Sequence, residues 1–206
     1  MKTVDNTSAI KWCISQHENT NHMYDKYLPY EFHLRMVAKV AKDFQHLMDP
    51  IAFAKNTFDS RITEDFAFHY MASTLEIAAF GHDLIEDTRS TYNDVKKVTG
   101  ELAADIIYAL TNEKGKNRAE RGNEKYYEGI RNQPGAVFLK LCDRIANVQY
   151  SKMSGSRMFE MYKKENPEFL KKMGFIEGVG HRLDPMVSYL VSLFEDVKIN
   201  EGNFVQ

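Results

Sequence analysis

The segment His82-Asp83-Leu84-Ile85-Glu86-Asp87-Thr88 gathers one imidazole and three carboxylates within six residues, at the end of an apolar stretch. On a helix, His82 and Glu86 lie one turn apart, as do Asp83 and Asp87, which makes two adjacent polar ridges. Leu75, Ala78 and Ala79 fall on the same face as His82, so that face should point into the protein. Carboxylates aimed at an interior are costly unless something pairs or coordinates them, and a divalent cation is the simplest partner.

Two other segments offer groups of the same kind. His33 lies a turn before the apolar stripe Met36, Val37, Val40, Phe44 and Leu47. Asp143 sits on the edge of a helix whose buried side is Val137, Phe138, Leu141, Ile145 and Val148, and it aligns there with Lys140 and Asn147. His33, His82, Asp83 and Asp143 are thus buried-face polar groups without a local partner. Two imidazoles and two carboxylates suit Mn, Fe, Co, Mg or Zn. Four protein ligands leave room for water, which such an ion acidifies into a nucleophile. Glu86 could act on that water or on the leaving group as acid or base, and Asp87 could orient its neighbour or the water.

The elements that must position these groups read as helical throughout. Only five prolines occur and no hairpin dipeptide separates alternating runs. A first helix is expected over Ser8–His17, and a polar loop then leads to Pro29 at the first position of the next helix. A short helix over Pro50–Asn56 and a turn at Asp59-Ser60 precede a long central helix from about Thr63 to Asp87. Thr91-Tyr92-Asn93-Asp94 reads as a capping box for a short helix ended by Gly100, and Glu101–Asn112 is amphipathic. Residues 113–133 read as a basic loop and a helix, and Pro134 opens the helix that carries Asp143. Ser154–Lys172 and His181–Lys198 read as closing helices.

Composition narrows the partners. The chain has 206 residues, 43% of them hydrophobic, and suits one globular domain with a core over about 8–153 and C-terminal helices (154–206) packed on it. The 27 basic and 29 acidic residues leave a net charge of -2, which offers no global field for a nucleic-acid polymer or an anionic membrane. No apolar run is long enough to span a bilayer, and Met1–Ser8 is polar rather than signal-like. Two distant cysteines, Cys13 and Cys142, suggest neither a disulfide framework nor a thiolate site, so a cytoplasmic location is expected. Nothing in the sequence specifies an oligomeric state.

Three motifs together resemble the HD superfamily of metal-dependent phosphohydrolases, and within it the RelA/SpoT-type branch with its small alarmone hydrolases. Pro29-Tyr30-Glu31-Phe32-His33 with Val37-Ala38 resembles that branch's Pro-Tyr-x-x-His-x-x-x-Val-Ala segment. His82-Asp83-x-x-Glu86-Asp87-Thr88 matches its HDxxEDT motif, and Lys140-Leu141-Cys142-Asp143-Arg144-x-x-Asn147 resembles its Lys-Leu-Ala-Asp-Arg-x-x-Asn helix. The likeness runs over roughly His17–Val148.

The resemblance implies an all-α HD-domain helical bundle holding one metal ion, typically Mn, on His33, His82, Asp83 and Asp143. It implies that Glu86 and Asp87 are the catalytic carboxylates, that Asn147 touches the nucleotide sugar, and that pyrophosphate is released from the ribose 3′ position of ppGpp or a relative. Lys140 and Arg144 flank the metal aspartate and are the candidates for holding phosphate, Lys140 being on the better edge; Arg118, Arg121 and Lys125 could add donors if their loop folds over the site. One departure stands out. The branch carries a basic stretch before its Pro-Tyr motif, whereas Asn19–Tyr24 has no arginine or lysine, leaving His22 and Tyr24 as stacking candidates. Two alternatives follow: an HD-type nucleotidase or phosphodiesterase acting on another nucleotide, and a nucleotide-binding HD protein without turnover.

Overall fold

The computed structural model describes residues 4–55, 57–58 and 62–195 of the chain. Twelve α-helices follow one another among these residues, with one isolated bridge between Met23 and Pro29 and no strand. The expectation of an all-helical chain holds.

Three helices form the centre. α2 (Glu31–Phe44) buries His33, Leu34, Val37, Val40 and Ala41; of the expected stripe Val37 and Val40 are buried, while Met36, Phe44 and Leu47 are half-buried, so the inward face is turned toward Leu34 and Ala41. It packs on one side against α4 (Glu64–Gly81) and on the other against α10 (Ala136–Met153). α4 carries Thr63 as its N-cap, whose side chain accepts from the Phe66 amide, and Glu64 and Asp65 in its first turn favour the positive end of the helix dipole. Its C-terminal half, from Thr74 to Gly81, is buried apart from Glu76, and Ala78 and Ala79 let neighbouring helices approach closely. Leu75, Leu141 and Ile145 are fully enclosed in this core; truncating any one to alanine should cost about 2–5 kcal/mol.

The other helices wrap this centre. α1 (Asn6–Glu18) and α3 (Pro50–Ala54) lie against α4. α5 (Leu84–Asp87), α6 (Tyr92–Thr99) and α7 (Glu101–Leu110) follow, then α8 (Arg118–Arg121) and α9 (Glu124–Asn132). α11 (Met158–Lys172) and α12 (Asp184–Ser192) pack on α10, burying Phe169, Met186 and Leu190. The expected capping box is present in full: Thr91 and Asp94 exchange their bonds, and Gly100 ends α6 at φ 85°.

Several boundaries differ from the sequence expectation. The central helix does not run to Asp87; it stops at Gly81, His82 is its C-cap, and Asp83 takes φ -105° and ψ 4° before α5 starts again. A Cβ at Gly81 would lie 2.5 Å from Ile107 Cδ1, so the glycine lets α7 press against the end of α4 where it breaks. Pro29 and Pro134 each stand two residues ahead of their helix. α2 begins after Tyr30, and α10 begins after Gly135, which adopts φ 86° and lets the chain turn tightly against Phe53, Ile106 and Leu75. α3 is shorter than expected, α11 starts at Met158 and α12 at Asp184. The turn at Asp59-Ser60 and the end of the closing helix at 196–198 lie outside the described residues.

Candidate metal centre and substrate cavity

His33, His82, Asp83 and Asp143 come from α2, the α4–α5 break and α10, and the fold brings all four together. His33 Nε2 lies 3.3 Å from His82 Nε2 and 3.3 Å from Asp143 Oδ1. His82 Nε2 is 2.8 Å from Asp83 Oδ2, and His33 Nε2 is 3.9 Å from the same oxygen. One ligand atom from each of His33, His82 and Asp143 can be chosen so that all lie within 4.8 Å of one another. The break in the helix makes this possible, because adjacent residues on a continuous helix point about 100° apart. Here His82 and Asp83 reach the same point.

The protonation pattern favours a cation. The outer nitrogen of His82, Nδ1, donates to the Ala79 carbonyl at 2.8 Å, which leaves Nε2 as a lone pair facing the cluster. That nitrogen and two carboxylates are then acceptors turned toward one another, with His33 Nε2 facing the same point, a crowding of lone pairs that a bound ion or shared protons relieve. Burial pulls the His82 imidazole down, but the Asp83 and Asp143 carboxylates outweigh it and push it up to about 9. Burial likewise raises Asp83 and Asp143, yet His82 holds Asp83, and Lys140 with the two imidazoles holds Asp143, below the usual carboxylate range. The donor set and its orientation fit a divalent ion.

Asp143 joins this cluster to a cavity of about 520 Å³ lined by Glu86, Lys140, Arg144 and Asn147, together with groups from α8, α9 and α11. Its Oδ1 faces His33 and accepts from Asn147 Nδ2 at 2.5 Å, while its Oδ2 accepts from Lys140 Nζ at 3.1 Å. Lys140 therefore already spends its charge on the aspartate. Arg144 is buried, lies 3.6 Å from Glu165, and has its guanidinium over the rings of Phe169 and Tyr162, with centroids 4.2 and 4.8 Å away. It serves first as a pillar between helices. Glu86 is exposed and is held by Asn112, whose Nδ2 lies 2.8 Å from both carboxylate oxygens. Asp87 is exposed and is not among the lining side chains; loss of hydration beside the packed helix end, and then the Asp83 and Glu86 charges, push its carboxyl up to about 7.

Other candidates separate. Arg118 and Arg121 line the cavity, whereas Lys125 pairs with Glu113 at 2.8 Å and does not. Arg118 lies 3.1 Å from Glu165, while Arg121 has no carboxylate within ion-pair distance among the described residues. Tyr162, which the sequence expectations above do not name, also lines the cavity. His22 is not available to a base: it stacks on Tyr30 with centroids 3.8 Å apart, beside His17. Asn112 escaped the sequence reading because an asparagine after an amphipathic helix looks like an ordinary terminator. Tyr24 and Tyr30 were passed over as cluster residues because their role depends on contacts across the chain.

No protein-family model matches the chain. It is 34% identical over 76 residues to the guanosine-3′,5′-bis(diphosphate) 3′-pyrophosphohydrolase of Aquifex aeolicus, a match covering 35% of this chain and 11% of that protein. It is 31% identical over 72 residues to the protein of the same name in Danio rerio, covering 35% of this chain and 40% of the relative. The chain thus spans well under half the length of these relatives. In fold, it is similar to the solved structure of a metazoan ortholog of SpoT described as hydrolysing ppGpp, with a TM-score of 0.62 and 16% identity over 93% of this chain and 96% of that one. The resemblance seen in three motifs is therefore met by relatives of the same branch in sequence and by one of its members in architecture.

Proposed function

We propose that this chain is a metal-dependent phosphohydrolase that removes pyrophosphate from the 3′ position of a (p)ppGpp-type nucleotide. The observation that carries the reading is the meeting of two imidazoles and two carboxylates from three separate helices, beside a cavity lined by both cations and carboxylates, Arg118, Arg121, Lys140 and Arg144 among the cations. The names of the relatives support the choice of substrate. His33, His82, Asp83 and Asp143 hold one divalent ion, with Mn the expected occupant. When bound, that ion supplies Lewis acidity and a water of lowered pKa.

The remaining steps fall to the chain's own groups. Glu86, steadied by Asn112, accepts or returns the proton of the attacking water, and Asp87 orients its neighbour or the water. Asn147 contacts the sugar, Arg121 offers an uncommitted guanidinium to the phosphates, and Lys140 and Arg144 shape the cavity floor through Asp143 and Glu165. The described chain works as one unit, with α11 and α12 closing one side of the cavity helix. Among the described residues no helix is long and apolar enough to cross a membrane, and Cys13 and Cys142 are buried and free, in keeping with a cytoplasmic setting.

Incubating the purified protein with Mn and ppGpp should release pyrophosphate, identified by mass. A second reading, an HD-type nucleotidase or phosphodiesterase on another nucleotide, draws on the lack of cations in Asn19–Tyr24. Inorganic phosphate from nucleoside monophosphates, with ppGpp left intact, would favour it instead.

A further inference from the structure

The connection from α1 to α2 carries no cation near the cavity, yet it is tightly built. Tyr24 N donates to the Leu28 carbonyl at 2.9 Å, Tyr30 N donates to the His22 carbonyl at 3.2 Å, and Asp25 Oδ1 accepts from the Tyr27 and Leu28 amides at 2.7 Å. The turn so closed sets two phenol rings side by side, 6.1 Å apart and edge to face. Each of them reaches a different member of the metal cluster.

Tyr30 is buried, and its hydroxyl donates to Asp83 Oδ2, the oxygen that faces both imidazoles. The stack of His22 and His17 against its ring fixes that hydroxyl in place. Tyr24 lies face to face on His33, with centroids 4.7 Å apart and an interplanar angle of 15°. Its hydroxyl donates to Asn147 Oδ1 at 2.9 Å, and Asn147 in turn donates to Asp143.

The two imidazoles of the cluster are oriented differently. A metal-binding histidine is ordinarily held through a hydrogen bond on its second nitrogen, and His82 follows this rule through Ala79. His33 does not: its Nδ1 is buried and has no hydrogen-bond partner among the described residues. The Tyr24 face on one side and the Tyr30 edge, at 5.4 Å and 60°, are what confine its ring.

We propose that Tyr24 and Tyr30 are positioning residues for the metal grip, Tyr30 through a hydrogen bond to Asp83 and Tyr24 through stacking on His33. The proposal rests on the metal-site reading above but not on the identity of the nucleotide.

Manganese titrated calorimetrically into chelator-stripped protein tests it, with circular dichroism and Tm as controls for folding. Tyr30→Phe keeps the ring stack and loses the donor, so Mn affinity should fall about 10-fold. Tyr24→Phe keeps the stack and should bind Mn within about twofold of the wild type, while KM for the nucleotide rises as Asn147 loses its restraint. Tyr24→Leu removes the aromatic face and should weaken Mn about 10-fold. A purely architectural role would lower Tm in all three and leave Mn affinity unmoved. Unchanged affinity in both Tyr30→Phe and Tyr24→Leu overturns the proposal. A wild type that binds Mn but ignores ppGpp overturns the proposed substrate and leaves this inference standing.

Discussion

Around His33 and His82 the polar atoms belong to long buried helices and are tied to one another, whereas Arg118 and Arg121 stand on a four-residue helix with largely exposed side chains. The first region has its geometry before any ligand arrives. The second pairs Arg118 with Glu165 and leaves Arg121 uncommitted, so its cations can be redirected at small cost. On the proposed function, the contrast assigns the reaction chemistry to the first region and a share of phosphate binding to the second.

Breaking the buried half should have the largest effect. Asp83→Ala should abolish Mn binding and bring hydrolysis to background, measured by titration and by pyrophosphate release. Glu86→Gln should keep Mn affinity and lower kcat by about 10²–10⁴-fold, because it removes a proton acceptor and leaves the ligand set intact. Chelation should lower Tm, with Mn at about 100 times its Kd restoring about 2.7 kcal/mol, as scanning calorimetry can measure.

Changes in the exposed half should be milder and of a different kind. Arg121→Ala should raise KM about 10-fold with kcat nearly constant, since it removes one charge-assisted contact to phosphate. A fall in kcat with unchanged KM would instead tie Arg121 to the acidic pair and blur the division. The smallest effect concerns Asp87 in metal-free protein. Its carboxyl is pushed from 3.8 up to about 7, so between those values the folded state holds a proton that the unfolded chain has released. Stability therefore falls as pH rises through that window and levels off above it. Asp87→Asn should flatten this slope in Tm recorded with chelator present.

The amino-acid pattern carried the helices where local rules decide them. Thr91, Asp94 and Gly100 delimit α6 through side-chain and backbone chemistry confined to ten residues, so the expectation and the structure coincide. The convergence of His33, His82, Asp83 and Asp143 was also legible, because polar groups on apolar faces have few places to go. The interruption after Gly81 was not, since the apolar period continues through it and the close packing of Gly81 on Ile107 of a distant helix leaves no local signal. The surroundings of Arg144 were hidden for a related reason. Spacing along α10 puts it one residue from Asp143, but only the packing of Tyr162 and Phe169 reveals that its charge is already enclosed.

The interruption at Asp83 has an evolutionary corollary. Because neighbours in the chain share one target only through a local kink, the segment Gly81–Leu84 tolerates no change in length: one residue more or fewer would rotate either the imidazole or the carboxylate out of reach, and no repacking of distant helices could bring it back. Drift in this chain should accumulate as substitutions here and as insertions elsewhere, above all in the stretch between α7 and α9.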